Sequence, residues 1–220
     1  MDLTTRASLH AAVGEPTRLR IVEELVVSDR SPGELSRRLG VRSNLLSHHL
    51  DVLEDVGLVH RTPSEGDGRR RYLKVAPDMA HRLGVVPTCP DRALLFVCTH
   101  NSARSQLAAA LWRAASGREG QSAGTHPADR VHAGAVAAAH RLGIDLTAAV
   151  PRHVDSVAAQ DWQVVTVCDR ANEELDAPGD RWHWSIPDPV LDGSATAFGR
   201  AATAISERVH DLARRPSTWN

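Results

Sequence analysis

The chain has 220 residues, 42% of them hydrophobic and 24% charged, with a net charge of −1. Such a composition is ordinary for a soluble globular protein, and the balanced charge means that any polyanion-binding surface must come from local clustering. No apolar run approaches the roughly 18 residues of a membrane span, no signal-peptide profile opens the chain, and three cysteines without framework spacing fit a reducing cytoplasm. The length accommodates two domains of about 85 and 130 residues.

Leu9, Ala12 and Val13 begin an apolar helical stripe that Gly14-Glu15-Pro16-Thr17 interrupts. Pro16 suits the first turn of a second helix carrying Leu19, Ile21, Val22, Leu25 and Val26 to about Ser28. Ser31-Pro32-Gly33-Glu34 has capping-box spacing, Leu35 and Leu39 follow on one face, and Gly40 stops that short helix. A further helix from about Ser43 to Gly57 places Leu45, Leu46, Leu50, Leu53 and Val56 on its expected core side. Two short strands, 58–61 and 71–75, flank the turn-forming Ser64-Glu65-Gly66-Asp67-Gly68, and Arg69-Arg70-Arg71 leave its tip. A short helix, a glycine turn, a helix with a polar leading face and a basic hairpin make a winged helix-turn-helix.

Residues 9–76 resemble the arsenical-resistance repressor family, through Gly-Glu-Pro-Thr-Arg-Leu-Arg-Ile at 14–21 and Ser-His-His-Leu-Asp-Val-Leu-Glu-Asp-Val-Gly-Leu-Val at 47–59. The resemblance implies double-stranded DNA as partner and a homodimer. Arg42, Ser43, Asn44, Ser47 and His48 would then face the major groove, and Arg69 and Arg70 would reach phosphates or the minor groove. Many family members sense metal through a Cys-Val-Cys stretch where this chain has Ser31-Pro32-Gly33, so no metal is expected there. His48 and His49 are adjacent on a helix and point apart, which argues against a shared metal.

A short helical piece follows at 77–83, and then Gly84 and Pro87 with Pro90 mark a join over 84–91. Cys89 in this join reads as an uncommitted thiol, with a redox role towards Cys98 as the sharper alternative. Beyond it, Leu94-Leu95-Phe96-Val97 reads as a buried strand that ends at Cys98, and an alanine- and leucine-rich helix starts near Ala103. Loop amides beside a helix N-terminus gather partial positive charge and bind a tetrahedral oxyanion. Arg104 adds a guanidinium fork, and the same field favours thiolate over thiol at Cys98. The loop therefore pairs a sulfur nucleophile with an oxyanion cradle of Thr99, His100, Asn101, Ser102, Ala103, Arg104 and Ser105.

Cys-x5-Arg-Ser, and more fully Cys-Thr-His-Asn-Ser-Ala-Arg-Ser-Gln, resembles the low-molecular-weight phosphatase superfamily and most of all its arsenate reductase branch. A strand over 120–125, a helix over about 131–142 with Val131, Val136 and Leu142, a strand at 164–168, a strand at 181–184 and a last helix at 195–213 alternate as a parallel sheet requires. The expected class is thus α/β joined to an all-α, winged-helix part. The winged helix-turn-helix spans 1–83, the join 84–91, and a four-stranded parallel sheet flanked by helices 92–220.

The reductase resemblance, over about 92–213, implies that Asp188 is the general acid, in Ile-Pro-Asp-Pro, and that Cys168 is a resolving thiol, in Val-Cys-Asp-Arg-Ala-Asn-Glu. It implies no bound cofactor but an external thiol reductant: thioredoxin, glutaredoxin or a low-molecular-weight thiol. Leu175 stands where thioredoxin-coupled relatives carry a third cysteine, and Ala109 where relatives commonly carry a cation-supporting glutamate. Two alternatives stay open. One is a tyrosine phosphatase fused to a DNA-binding domain, disfavoured by Val190-Leu191-Asp192 where such enzymes usually place tyrosines. The other is a non-catalytic oxyanion or redox sensor that biases DNA binding.

Overall fold

A computed structural model describes residues 2–157, 161–175 and 180–214. Two compact units divide between Thr88 and Cys89, with Glu65–Asp67 counted in the second. No helix of the described residues is long and apolar enough to cross a membrane.

The N-terminal unit contains α1 (Leu3–Val13), α2 (Pro16–Val27), α3 (Pro32–Leu39), α4 (Ser43–Asp55), β1 (Val59–Pro63), β2 (Arg71–Val75) and α5 (Pro77–Arg82). The starts of α2 and α3 have local causes. Glu15 caps α2 by accepting from the Thr17 and Arg18 amides, with proline in the first turn. Ser31 and Glu34 close a capping box on α3, and Gly40 ends that helix in the left-handed region at φ 66°. Leu9, Ile21, Val22, Leu25, Leu35, Leu46, Leu50 and Leu53 are buried together as one core. β1 and β2 pair antiparallel from Val59–Val75 to Pro63–Arg71, and Arg30 bridges Leu73 on the far side of β2. A helix-turn-helix with a hairpin wing results.

One expected core residue is not in this core. Leu45 is 49% exposed, because the apolar face of α4 runs through Leu46, Leu50 and Leu53 and turns position 45 towards solvent.

The C-terminal unit contains β3 (Leu94–Cys98), α6 (Arg104–Ser116), β4 (Gly120–Gly124), α7 (Ala133–Arg141), β5 (Gln163–Thr166), α8 (Asp169–Glu174), β6 (Trp182–His183), α9 (Pro189–Asp192) and α10 (Ala195–Ala213), with a 3-10 turn at Val154–Ser156. The strands form one parallel sheet ordered β4-β3-β5-β6. All five residues of β3 are buried, as expected of an inner strand covered on both faces. α6 and α10 pack on each other, and Trp112, Phe96, Trp184 and Phe198 are the large fully buried side chains of this core. Leu142, expected on the apolar face of α7, lies just past its last residue and is 44% exposed. β5 stops at Thr166 rather than at Cys168, which instead caps the short α8 that the sequence pattern did not suggest.

The α2 cap carries a stability prediction. Hydrogen bonds from the Thr17 and Arg18 amides hold the Glu15 carboxyl at about 2, well below the usual carboxylate range. A depressed carboxylate stabilises the fold above its unfolded value, and that contribution is lost as pH falls through the folded value. Glu15→Ala is expected to cost about 1 kcal/mol at neutral pH in urea unfolding. The gap from wild type should close as the pH falls from about 4.5 towards about 2. A gap independent of pH in that window would contradict the assignment.

Candidate active site

Cys98 is the last residue of β3, and Arg104 is the first of α6. The five residues between them make a loop whose backbone groups are divided unevenly. The carbonyls of Cys98, Thr99, His100 and Ser102 accept from the amides of Thr125, His126, Ala128 and His132. Among the described residues, the amide N–H groups of Thr99, His100, Asn101, Ser102 and Ala103 have no protein acceptor. A run of unsatisfied donors at a helix N-terminus is an oxyanion cradle. Asn101 makes the turn possible at φ 47°, a left-handed conformation in which asparagine is enriched.

Asn101 is also the loop's fastener. Fully buried, it donates from Nδ2 to Ser105 Oγ at 2.8 Å, and its Oδ1 accepts from Gln106 Nε2 at 3.2 Å and from the Arg152 amide at 2.9 Å. Ser105 Oγ in turn lies 3.0 Å from Cys98 Sγ. Cys98 is thus tied by a short chain of bonds to the residue that shapes the loop. Gly124, at the end of the neighbouring strand, is required by proximity: a Cβ there would sit 2.7 Å from the Thr99 carbonyl oxygen.

Arg104 is buried, with Nη1 donating to the Ile186 carbonyl at 2.9 Å and Nη2 to Asp188 Oδ2 at 2.7 Å. Asp188 caps α9 through Oδ1, which accepts from the Val190 amide. Its other oxygen therefore meets the guanidinium of the same loop that carries Cys98.

Cys168 is buried, 3.4 Å from Thr99 Oγ1, and accepts from the Ala171 amide at the start of α8. Burial pushes its thiol up, Arg104 opposes this, and the nearby Cys98 adds to it. Behind Cys168, Asp169 and His183 form a buried pair, Oδ1 to Nε2 at 3.0 Å, and His183 Nδ1 is 2.9 Å from Thr166 Oγ1. Burial alone would raise the Asp169 carboxyl; the hydrogen bonds it accepts, with that from His183 foremost, hold it below the ordinary range. Thr166 and Asn172 carry the network on to Arg181. The turn bearing Cys168 is therefore anchored on one side by Thr99 and on the other by Asp169.

The sequence had marked Cys98, the loop, Arg104, Cys168 and Asp188, and the structure gathers all of them at the carboxyl ends of β3 and β5. It had not marked Gly124, Asp169 or His183. A glycine aligned with a loop across the sheet, or a buried hydrogen-bonded pair between residues 14 apart, leaves no trace in periodicity. Cys89 does not join the group. It is half-buried beside Arg118 and Pro90, ahead of the first residue of β3, while Cys98 is the last. At about 3.3 Å per residue the length of β3 separates the two thiols, so the redox pairing of Cys89 with Cys98 is not available.

A cleft of about 680 Å³ opens beside the loop, lined by His100, Ser102, Arg130, Val131, His132 and Val190. No group of three histidine, cysteine or acidic side chains poised for a metal occurs among the described residues.

In the N-terminal unit, Arg42, Ser43, Asn44, Ser47 and His48 are all exposed on the first half of α4, whereas His49 is buried. Leu45 joins the exposed set. Arg69 is exposed and Arg70 half-buried in the wing, where Arg71 Nη1 closes the tip by donating to the Gly68 carbonyl.

A model of the low molecular weight phosphotyrosine protein phosphatase family matches residues 93–217, and a helix-turn-helix domain model matches residues 13–62. A candidate arsenate reductase of Halobacterium salinarum is 33% identical over 126 residues, covering 53% of this chain and 87% of its own length. An HTH-type transcriptional regulator of Mycobacterium tuberculosis, Rv0081, is 40% identical over 91 residues, covering 40% of this chain and 77% of its own. Among solved structures, an arsenate reductase from Archaeoglobus fulgidus is 34% identical with a TM-score of 0.48, covering 55% of this chain and 98% of its own.

The packing of Gly124 yields a direct test. In Gly124→Ala the new methyl group must displace the Thr99 carbonyl or the Asn101 backbone, both of which shape the cradle. Phosphate binding, measured by calorimetry, should weaken by at least about tenfold, with the fold retained. Unchanged affinity would show that the loop tolerates the intrusion.

Proposed function

Because the chain belongs to the low molecular weight phosphotyrosine protein phosphatase family and carries a helix-turn-helix domain ahead of that family's domain, we propose an arsenic-response protein that binds operator DNA and reduces arsenate to arsenite through Cys98. The observation that carries the reductase reading is the second thiol. Cys168 touches the nucleophile's loop through Thr99, and burial pushes it up while Cys98 adds to the shift. A phosphoester hydrolase needs no such thiol, whereas a reductase that resolves its own arsenylated cysteine does.

In the proposed reaction the five free amides and the Arg104 guanidinium hold the arsenate oxygens. Cys98 Sγ forms a bond to arsenic(V) as one arsenic–oxygen bond breaks, and Asp188 supplies the proton that lets this oxygen leave as water, hydroxide being a poor leaving group. The thiolate of Cys168 then attacks Cys98 Sγ. The sulfur–arsenic bond breaks with its electron pair going to arsenic, which leaves as arsenite, and the two sulfurs are left as a disulfide. An external thiol reductant returns both to thiols. Thioredoxin, glutaredoxin and low-molecular-weight thiols all fit that role, and Leu175 at the position of a third cysteine leaves the second exchange to the donor itself.

The cleft beside the loop is the feature a phosphoester reading draws on. Its rim offers Val190 rather than a tyrosine, and the chain's single tyrosine, Tyr72, is buried in the wing strand β2. That favours the small oxyanion over an aryl phosphate.

For the N-terminal unit we place Arg42, Ser43, Asn44, Ser47 and His48 in the major groove of double-stranded DNA, with Arg69 and Arg70 on the backbone or in the minor groove. A homodimer on a two-fold operator fits this class of domain. Exposed Leu45 among these residues suits apolar contact with a thymine methyl group. A cytoplasmic location accords with free thiols and a DNA partner.

The decisive assay is arsenite release from arsenate with each reductant in turn, beside hydrolysis of para-nitrophenyl phosphate. Cys98→Ser should lose arsenite production by at least about 10³ while keeping DNA binding, and Cys168→Ser should lose turnover. Phosphate release without arsenite would move the protein to the phosphatases. Because burial keeps Cys168 protonated at neutral pH, the disulfide-forming step should accelerate as pH rises past the ordinary cysteine value of about 8.5. A rate that is flat or falls from about pH 7 to about 9.5 would contradict its role as attacking thiol.

A further inference from the structure

At the β4 edge of the C-terminal unit a second cavity, of about 510 Å³, is lined by Arg113 and Arg152 together with Gln106, Gln121 and Ser122, with Ala149 on an apolar side. Two cations face one space without a carboxylate. Among the described residues neither arginine has an acidic partner within ion-pair distance. Arg113 Nη1 is fixed on the Gly120 carbonyl at 2.6 Å, and Arg152 Nη1 on Gln121 Oε1 at 3.2 Å. Each guanidinium is thereby oriented by one nitrogen, with its remaining donors uncommitted. Both arginines reach solvent, and partial loss of hydration together with the neighbouring Arg152 disfavours the charged form of Arg113.

The rest of the lining fits an anion as well. Ser122 is buried, yet its hydroxyl has no hydrogen-bond partner among the described residues and is not sealed from the cavity. The volume lies within the range of small-molecule pockets, roughly 300–1,000 Å³, and is larger than a single tetrahedral ion needs. The site also abuts the nucleophile's loop. Gln106 Nε2 and the Arg152 amide both bond Asn101 Oδ1, and Asn101 bonds Ser105 beside Cys98.

We propose that this cavity is a second anion site, distinct from the Cys98 loop. It takes a small molecule through a carboxylate or tetrahedral oxyanion group clasped between Arg113 and Arg152, with its less polar part against Ala149. Occupancy would neutralise the paired cations and stiffen the Arg152–Asn101 support of the loop. The site stands whether or not Cys98 reduces arsenate.

Calorimetric titration of the full chain with citrate and, separately, with inorganic sulfate tests this. Citrate is too large for a loop that wraps one tetrahedral ion, so the part of its binding that depends on Arg113 and Arg152 reports on the second site, whereas sulfate fits both. Wild type should bind citrate, or a second equivalent of sulfate, according to which group the site prefers. Arg113→Gln combined with Arg152→Gln should weaken that binding by at least about tenfold. Protection of Cys98 from iodoacetamide by sulfate should persist in the double variant, showing that the fold and the first site are intact. Absence of both citrate binding and a second sulfate in wild type would overturn the proposal. So would their survival in the protected double variant.

Discussion

The chemistry at the carboxyl end of the sheet depends on where the loop after β3 spends its backbone hydrogen bonds. Four carbonyls turn outward onto amides of 125–132, and among the described residues the five amides from Thr99 to Ala103 are left without protein acceptors. Buried donors without partners cost free energy unless something fills them. The loop presents these donors together, in the geometry that suits an anion. The sulfur of Cys98, the guanidinium of Arg104 and the carboxyl of Asp188 gain their meaning from that one position.

Holding such a loop open requires support from outside it. Asn101 adopts the left-handed turn and spends its whole amide on Ser105, Gln106 and Arg152. Gly124 lets the neighbouring strand approach within a distance that no side chain would allow. On the other flank, the Asp169–His183 pair fixes the turn that delivers Cys168 to Thr99. An ionisable pair buried this deeply is weak evidence of stability for its own sake. Its position directly after the second thiol gives it a role in placement.

Much of this was legible in the residues. The apolar run 94–97 ending at a cysteine, with arginine six positions on and an alanine-rich helix behind, specifies strand, loop and helix because each follows from local periodicity and capping. The capping box at Ser31 and the glycine at 40 set α3 for the same reason. What escaped was set by tertiary contacts: the rotation of Leu45 out of the α4 core, the short helix capped by Cys168, the close approach at Gly124, and the basic pocket assembled from α6, β4 and the segment after Ala148. The redox alternative for Cys89 fails because nearness in sequence to Cys98 is undone by an extended strand. Helical and strand patterns are short-range; which loops meet at a sheet edge is not.

A winged helix-turn-helix and a domain of the low molecular weight phosphotyrosine protein phosphatase family occur in one chain, and the central claim is that the latter performs two-electron chemistry on arsenic. The most direct measurement is a single turnover of the fully reduced protein with arsenate and no external reductant, followed by mass spectrometry of the digested chain. The account predicts arsenite in stoichiometric amount and a peptide pair joined by a Cys98–Cys168 disulfide. Reduced cysteines with no arsenite formed, or a disulfide that links Cys89 instead, would contradict it.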